Sequence, residues 1–196
     1  MLDDRLSLTA GLRYTEEDKE IVYDYLNRPF GAPPSGIPAQ AELQENFYNV
    51  SGNITAAYQL TDDINTFVRF ATGYRSGGFN GEVFANPFEE ETIEQWEIGM
   101  KSDWWDNRLR INGSLYTYVY DDLQVSQIET RGGTATSLIA NAGKADRWGG
   151  ELELLAAPAE DLILSLSYAY VHGDYEAFPE LCGTNVPQTC LNTTDA

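Results

Sequence analysis

Hydrophobic and polar residues alternate at every second position in several long segments of this 196-residue chain. The first such segment places apolar side chains on one face and polar or small ones on the other: Leu6, Leu8, Ala10, Leu12 and Tyr14 against Ser7, Thr9, Gly11 and Arg13. Near the end, the apolar positions from Leu162 to Tyr170 alternate with Ser165 and Ser167. Because strand side chains point to opposite faces with a period of two, each segment predicts a strand with one apolar and one polar face.

The alternation predicts seven strands and no helix of consequence. The expected ranges are about 5–18, 46–60, 64–74, 92–103, 108–125, 144–157 and 162–174, with an extension of the first strand past Ile21 left open. The stretch from Pro29 to Pro38 is expected to be a loop, since proline lacks the amide donor that a ladder needs. The fold class is therefore all-β.

The connections between these strands are of two kinds. Short polar breaks at 61–63, 104–107 and 158–161 alternate with long irregular stretches at about 17–46, 75–91, 127–143 and 173–196. An outer-membrane barrel has short turns on its periplasmic side and long loops outside, whereas a soluble sandwich has no reason for this asymmetry. The spacing favours an antiparallel up-and-down transmembrane β-barrel over a soluble β-sandwich.

The faces opposite the apolar stripes carry charges of mixed sign. The polar positions on the predicted fourth, fifth and sixth strands include Gln95, Glu97, Lys101, Arg108, Arg110, Asn112, Ser114, Tyr116, Tyr118, Glu151 and Glu153. Neighbouring strands are expected to pair some of these charges across the ladder, and an ordinary solvated face is the alternative. Trp104 and Trp105 beside a tight turn, with Tyr168 and Tyr170, fit aromatic girdles at the two membrane boundaries; in a soluble sheet they would be core.

The charge of the chain excludes one class of partner. It has 12 Lys and Arg residues against 31 Asp and Glu residues, a formal net charge of -19. Nucleic acid is a poor partner, because phosphate contacts would be repelled. No apolar run approaches the ~20 residues of a transmembrane helix, which does not argue against strands that are only half apolar.

Four sequence motifs resemble successive strand motifs of the TonB-dependent outer-membrane receptors. They occur in the order of that family and extend the resemblance over about residues 3–175: GLRYT at 11–15, ATGYRSGGFN at 71–80, EQWEIGMKSD at 94–103 and NAGKA at 141–145. The resemblance implies a location in the outer membrane of a Gram-negative bacterium. It also implies lipid and lipopolysaccharide around the barrel.

Proteins of this family resemble one another in a ~22-stranded barrel filled by an N-terminal plug. The resemblance implies import of a scarce ligand, often a ferric siderophore, cobalamin or a glycan, driven by an inner-membrane TonB complex that pulls on the plug. Seven strands cannot close such a barrel. We therefore expect residues 1–196 to be a partial barrel domain, with the plug, signal peptide, C-terminal closing strand and TonB-contacting N-terminal part absent from this sequence.

The third predicted strand meets its long loop at a glycine-rich segment. Gly73, Gly77 and Gly78 are expected to allow a sharp bend or bulge, with simple turn chemistry favoured over ligand contact, and Arg75 marks the change from wall to loop. Vestibule contacts are plausible there for four residues: Tyr74, Arg75, Phe79 and Asn80.

Catalytic, cofactor and metal sites are not predicted. The single histidine, His172, has no cysteine close in sequence, and the acidic runs lack the spacing of a calcium loop. Cys182 and Cys190 enclose a short loop that fits a disulfide in an oxidising compartment. A passive channel or porin and a soluble β-sandwich binding module stay open as alternatives, and an enzyme is a distant third.

Overall fold

Antiparallel strands make up almost all of the chain that can be described. A computed structural model describes residues 4–24, 40–81, 87–131, 134–141 and 143–175. Within these ranges it has nine strands: β1 (Leu6–Asp24), β2 (Gln40–Thr61), β3 (Ile64–Arg75), β4 (Glu91–Trp104), β5 (Leu109–Asp121), β6 (Gln124–Arg131), β7 (Thr134–Asn141), β8 (Ala145–Ala159) and β9 (Leu162–Tyr175). None of the described segments is a helix long and apolar enough to cross a membrane.

Seven of the strands form one sheet in the order β1-β2-β3-β4-β5-β8-β9, and every neighbouring pair is antiparallel. This confirms the all-β prediction and the seven predicted wall strands. The β1–β2 ladder runs without a shift from Leu6↔Tyr58 to Asp24↔Gln40, so β1 does continue past Ile21. Strands β1 and β2 therefore rise well above the last residues that pair β2 with β3, Asn53 and Ala71.

The prediction for the segment after β5 was wrong. That strand was expected to reach residue 125 and to be followed by an irregular stretch, but β5 ends at Asp121, and Asp122 has a φ of 55°. The left-handed conformation turns the chain out of the sheet, and β6 and β7 then form a separate hairpin. Strand β8 returns directly beside β5, with Tyr120 opposite Ala145.

The tight turns all lie at one end of the sheet, as the sequence predicted. They join β2 to β3, β4 to β5 and β8 to β9. Left-handed φ angles of 56°, 55° and 64° at Trp105, Asp106 and Asn107, and of 63° at Asp161, reverse the chain within a few residues. Strands β1, β3, β5 and β9 end at the opposite end of the sheet, which we call the loop end.

The sheet has an apolar outer face that none of the described residues covers. By register this face contains Leu8, Ala56, Val68, Ile98 and Leu115 in one row across five strands. Leu12 is 87% exposed and Leu115 is 65% exposed. Because unburied apolar area of this extent is unfavourable in water, this face needs a hydrocarbon environment.

The buried hydrophobic side chains lie elsewhere. Among the described residues they are Tyr23, Phe47, Leu138 and Ala145, which belong to the loop-end parts of β1, β2, β7 and β8. The chain thus builds its small packed interior at the loop end and leaves the wall one layer thick.

Candidate functional site

The inner face of the sheet, opposite the outer face, is polar and carries ordered contacts between neighbouring strands. Arg69 Nη1 lies 4.0 Å from Glu97 Oε2, and Arg110 Nε lies 2.8 Å from Asp103 Oδ1. Charges thus pair across the ladder, and each pair joins one residue of the predicted set, Glu97 or Arg110, to a residue outside it. A broad recess on this face is lined by Arg69, Glu97 and Lys101 together with polar residues of β5 and β8.

The outer face carries aromatic residues near both ends of the strands. Phe70 packs against Trp96 with a centroid distance of 4.8 Å, and Trp148 packs against Tyr170 at 5.5 Å. Trp104 ends β4 at the tight turn. Trp104 follows Trp96 by eight positions along β4. The two residues are therefore about 27 Å apart along the strand and about 21 Å apart along the membrane normal at a tilt of ~40°. This separation suits the apolar band of an outer-membrane barrel.

The segment after β3 folds into a compact rim at the loop end. Gly78 and Phe88 exchange two backbone hydrogen bonds, Gly78 N to Phe88 O at 3.0 Å and Phe88 N to Gly78 O at 2.9 Å. We call the described residues 76–81 and 87–90 the rim segment. Its two halves are held together by this bridge.

Strand β1 holds one side of the rim segment through Lys19. The Lys19 ammonium donates to Ser76 Oγ and to Gly77 O at 2.7 Å, and it lies 3.6 Å from Glu17 Oε2. Ser76 in turn donates to Glu17 at 2.9 Å. The same ammonium lies 5.5 Å from the centroid of the Phe47 ring. A charged group with this many partners fixes the rim segment to the extension of β1 and β2.

The β6–β7 hairpin holds the other side through three amide side chains. Asn80 Nδ2 donates to Ile139 O at 3.0 Å, and Ile139 N donates to Asn80 Oδ1 at 2.6 Å. Gln124 Nε2 donates to Ser76 O and Glu89 O, both at 3.0 Å. Asn141 accepts from Glu89 N at 2.7 Å and donates to Glu89 O at 3.0 Å. The amides satisfy backbone groups that no strand partner would satisfy.

The glycines of the rim segment are required for close approach rather than for a bend. None of Gly73, Gly77 and Gly78 adopts the left-handed φ that glycine would allow, and the β3–β4 ladder passes Gly73 without the register shift of a bulge. A Cβ at position 77 would overlap the carbonyl oxygen of Phe88 and lie 2.5 Å from Cε1 of Phe47. Only glycine lets the backbone pass between these groups. The wall does end at Arg75, as predicted.

The four predicted vestibule residues occupy different environments. Arg75 is exposed, Phe79 is half-buried, and Asn80 is 6% exposed with its amide engaged by Ile139. Tyr74 shares the outer-face side with Val68 by register, and its hydroxyl is buried without a hydrogen bond to any described residue. The structure therefore does not bring the four side chains together, and their ligand contacts stay predictions. Cys182 and Cys190 lie outside the described residues.

Sequence reasoning missed the clamping role of Lys19, Gln124 and Asn141. The signal for the hairpin was present, because Gly132 and Gly133 stand between two segments rich in Thr, Val and Ile, a pattern typical of hairpins. The contacts themselves join positions more than 30 residues apart, such as Lys19 with Gly77 and Gln124 with Glu89. No local pattern encodes such contacts.

The Asn80 clamp yields a prediction. Asn80→Asp keeps an oxygen to accept from Ile139 N but cannot donate to Ile139 O. We expect this change to weaken the attachment of the hairpin by about 1–3 kcal/mol. Faster amide hydrogen exchange at Ile139, measured in the complete protein that contains this chain, tests it.

The control is Asn65→Asp at the opposite end of the sheet, where Asn65 bonds the side chain of Gln59. It should leave exchange in the hairpin unchanged. Equal exchange at Ile139 in Asn80→Asp and in the unmodified protein would contradict the clamp.

Known proteins resemble this chain in both sequence and fold. The profile of the family described as TonB dependent receptor-like, beta-barrel matches residues 2–190. The pesticin receptor of Yersinia enterocolitica serotype O:8 / biotype 1B is 30% identical over 158 residues, 78% of this chain and 21% of that receptor. The pesticin receptor of Yersinia pestis has the same identity and coverage. The chain spans about a fifth of the length of these curated relatives.

Solved structures share the fold. The ferric yersiniabactin uptake receptor FyuA from Yersinia pestis matches with a TM-score of 0.69 at 24% identity, over 89% of this chain and 25% of that one. The siderophore receptor PiuA from Acinetobacter baumannii matches with a TM-score of 0.69 at 20% identity, over 92% and 25%. With the profile matching almost the whole chain, this chain belongs to the TonB-dependent receptors, outer-membrane proteins of Gram-negative bacteria, and forms part of their antiparallel β-barrel.

Proposed function

We propose that the complete protein containing this chain imports a scarce extracellular ligand, of which a ferric siderophore is the leading class, across the outer membrane with energy from TonB. Membership of the TonB-dependent receptor family carries this proposal. The names of two similar proteins, a ferric yersiniabactin uptake receptor and a siderophore receptor, support iron chelates as the class. The relatives are receptors and transporters rather than enzymes, and we propose that this protein likewise performs no catalytic step.

The chain contributes wall and rim to this function. The polar inner face is suited to line a water-filled or plugged lumen, while the apolar outer face is suited to lipid and, near the loop end, to lipopolysaccharide. The TonB complex would act through a plug and N-terminal part outside this sequence. The rim segment lies where an extracellular ligand would arrive first. Of the four residues predicted from the sequence, the exposed Arg75 and the half-buried Phe79 are the proposed vestibule contacts, whereas the Asn80 amide is engaged by Ile139 and Tyr74 lies on the outer-face side. Nucleic acid is not a proposed partner, because the net charge is -19.

Energised uptake distinguishes this function from a passive channel. The complete gene, expressed in a Gram-negative strain lacking its own ferric siderophore receptors, is expected to restore accumulation of ⁵⁵Fe from a panel of purified ferric siderophores. Accumulation should vanish in an otherwise identical strain without TonB. Uptake that persists without TonB would instead identify a passive channel. Failure with every chelate, in cells that carry the folded protein, would contradict the iron-chelate class.

A further inference from the structure

Three tyrosines form a continuous aromatic track on the inner face just below the rim. Tyr116 and Tyr118 stack with centroids 5.8 Å apart and planes 18° apart, and Tyr118 meets Tyr120 edge-on at 5.6 Å. The three residues alternate along β5 and are half-buried. Their backbone positions span about 14 Å, from the level of Glu97 up to the base of the hairpin.

Arg147 of β8 lies beside this track. Its guanidinium carbon is 5.9 Å from the centroid of the Tyr120 ring, and the group is within hydrogen-bonding reach of Tyr118 and Tyr175. Gly173 makes room for its side chain, because a Cβ there would lie 2.7 Å from Cγ of Arg147. Gly149 in the same way makes room for the ring of Tyr116. Two glycines thus allow large side chains to lie flat against the wall.

The partners of Arg147 differ from those of four other cations on the chain. Lys19, Arg69, Arg110 and Lys144 each lie within 4.0 Å of a carboxylate oxygen. The partners described for Arg147 are phenol groups, which are neutral at pH 7. Its positive charge is therefore left uncompensated by these partners, in a chain whose net charge is -19.

Stabilisation of the sheet explains only part of this arrangement. An aromatic ring over a glycine on the next strand supports pairing, and Tyr116 over Gly149 is such a case. The contacts from Tyr116 to Tyr118 and from Tyr118 to Tyr120, however, run along a single strand and do not join strands. The track offers ring faces and phenol hydroxyls to the lumen, with the carboxylates of Glu97 and Glu151 lining the recess at its lower end beside Tyr116. The positive charge of Arg147 lies at the upper end, beside Tyr118 and Tyr120, so the anion would be bound there.

We propose that Tyr116, Tyr118, Tyr120 and Arg147 form a binding subsite for a flat aromatic group bearing a negative charge, such as an aromatic carboxylate or a phenolate. The aromatic part would stack on a tyrosine ring, and the anion would be bound by the guanidinium. The subsite rests on the proposed import function, because it lies on the path from the rim into the lumen. It restricts the ligand to compounds with an aromatic anionic group.

Binding of a simple probe tests the subsite directly. The complete protein is placed in nanodiscs of zwitterionic lipid, and the ¹⁹F signal of 4-fluorobenzoate is titrated. We expect saturable binding that Arg147→Gln weakens at least about fivefold and that Tyr118→Leu weakens similarly. The neutral analogue 4-fluorobenzamide should bind more weakly than 4-fluorobenzoate and lose little in Arg147→Gln.

Arg110→Gln is the matched control, because it removes a positive charge from the same face at the tight-turn end, where Arg110 pairs with Asp103. It should leave probe binding unchanged. If Arg147→Gln does not fold, the comparison uses Arg147→Lys and Tyr118→Phe instead. Arg147→Lys keeps the charge but loses the planar fork of the guanidinium, so weaker binding is expected for it. Absence of saturable binding, or equal weakening by Arg110→Gln, would overturn the subsite.

The outcome is separable from that of the uptake experiment. Probe binding in nanodiscs requires neither TonB nor an iron chelate. If the unmodified protein imports ferric chelates but does not bind 4-fluorobenzoate, only the subsite fails. If the probe binds with the expected dependence on Arg147 while no chelate is imported, only the proposed function fails.

Discussion

Gly77→Val is expected to detach the rim segment from the wall. The first atom of the new side chain would overlap the carbonyl oxygen of Phe88, and it would press on the ring of Phe47, which is only 9% exposed. Backbone cannot yield as the tip of a flexible side chain can, so the bridge between Gly78 and Phe88 must open. Overpacking of this kind costs about 1–3 kcal/mol. Amide exchange in the rim segment should rise about fivefold to about a hundredfold, measured in the complete protein.

The rim segment contains its own control for this substitution. A Cβ at Gly81 would meet no atom of the described residues within 4 Å, so Gly81→Val adds the same side chain without a clash against them. It should leave exchange in residues 76–80 and 87–90 at the unmodified rate. Equal exchange in the two variants would show that close packing at Gly77 does not hold the rim.

Met100→Arg is expected to destabilise the barrel in lipid by about 2–4 kcal/mol, the cost of arginine near the bilayer midplane. Met100 lies on the outer face of β4, four residues from Trp96 and four from Trp104, and is 38% exposed. Its neighbours in the cross-strand row, Thr66 and Gly113, offer no charge to compensate the arginine. Urea unfolding of the complete protein in phospholipid vesicles measures the change.

Two further substitutions distinguish the effect of depth in the membrane from the effect of the face of the sheet on which the arginine lies. Leu162→Arg, at the tight turn that opens β9, should cost only about 0–1 kcal/mol, because the side chain reaches the interface. Ser114→Arg places the same charge on the inner face, opposite Glu151, and should be tolerated. If Met100→Arg and Ser114→Arg destabilise the protein equally, the assignment of the two faces is wrong.

The strands of the wall could be predicted from the sequence because the patterns that specify them are local. Alternation such as Leu162 to Tyr170 fixes both the strand and its faces, and short breaks such as Glu160–Asp161 fix the turns. The strand ends at Arg75 and Trp104 were each expected to within one residue. The hydrocarbon face needs no partner from the chain, so this pattern was not altered by tertiary packing.

The loop end could not be predicted in the same way. There the structure depends on contacts such as Asn80 with Ile139, 59 residues apart, and on the passage of Gly77 past Phe88. A glycine in a sequence is equally consistent with a bend in the backbone and with close approach of the backbone to a neighbouring group. The structure selects the second at Gly77, while the ligand contacts expected near it stay predictions.

The β6–β7 hairpin bears on how the exposed surface of this protein can change over generations. Since β5 and β8 pair directly from Leu109↔Ala156 to Tyr120↔Ala145, the hairpin can be lengthened, shortened or replaced without disturbing the wall. Its side chains Gln124 and Asn141 nevertheless bind the backbone of the rim segment. A changed hairpin would therefore require a matching change in the rim segment, and the two segments are expected to be inherited and exchanged as one unit.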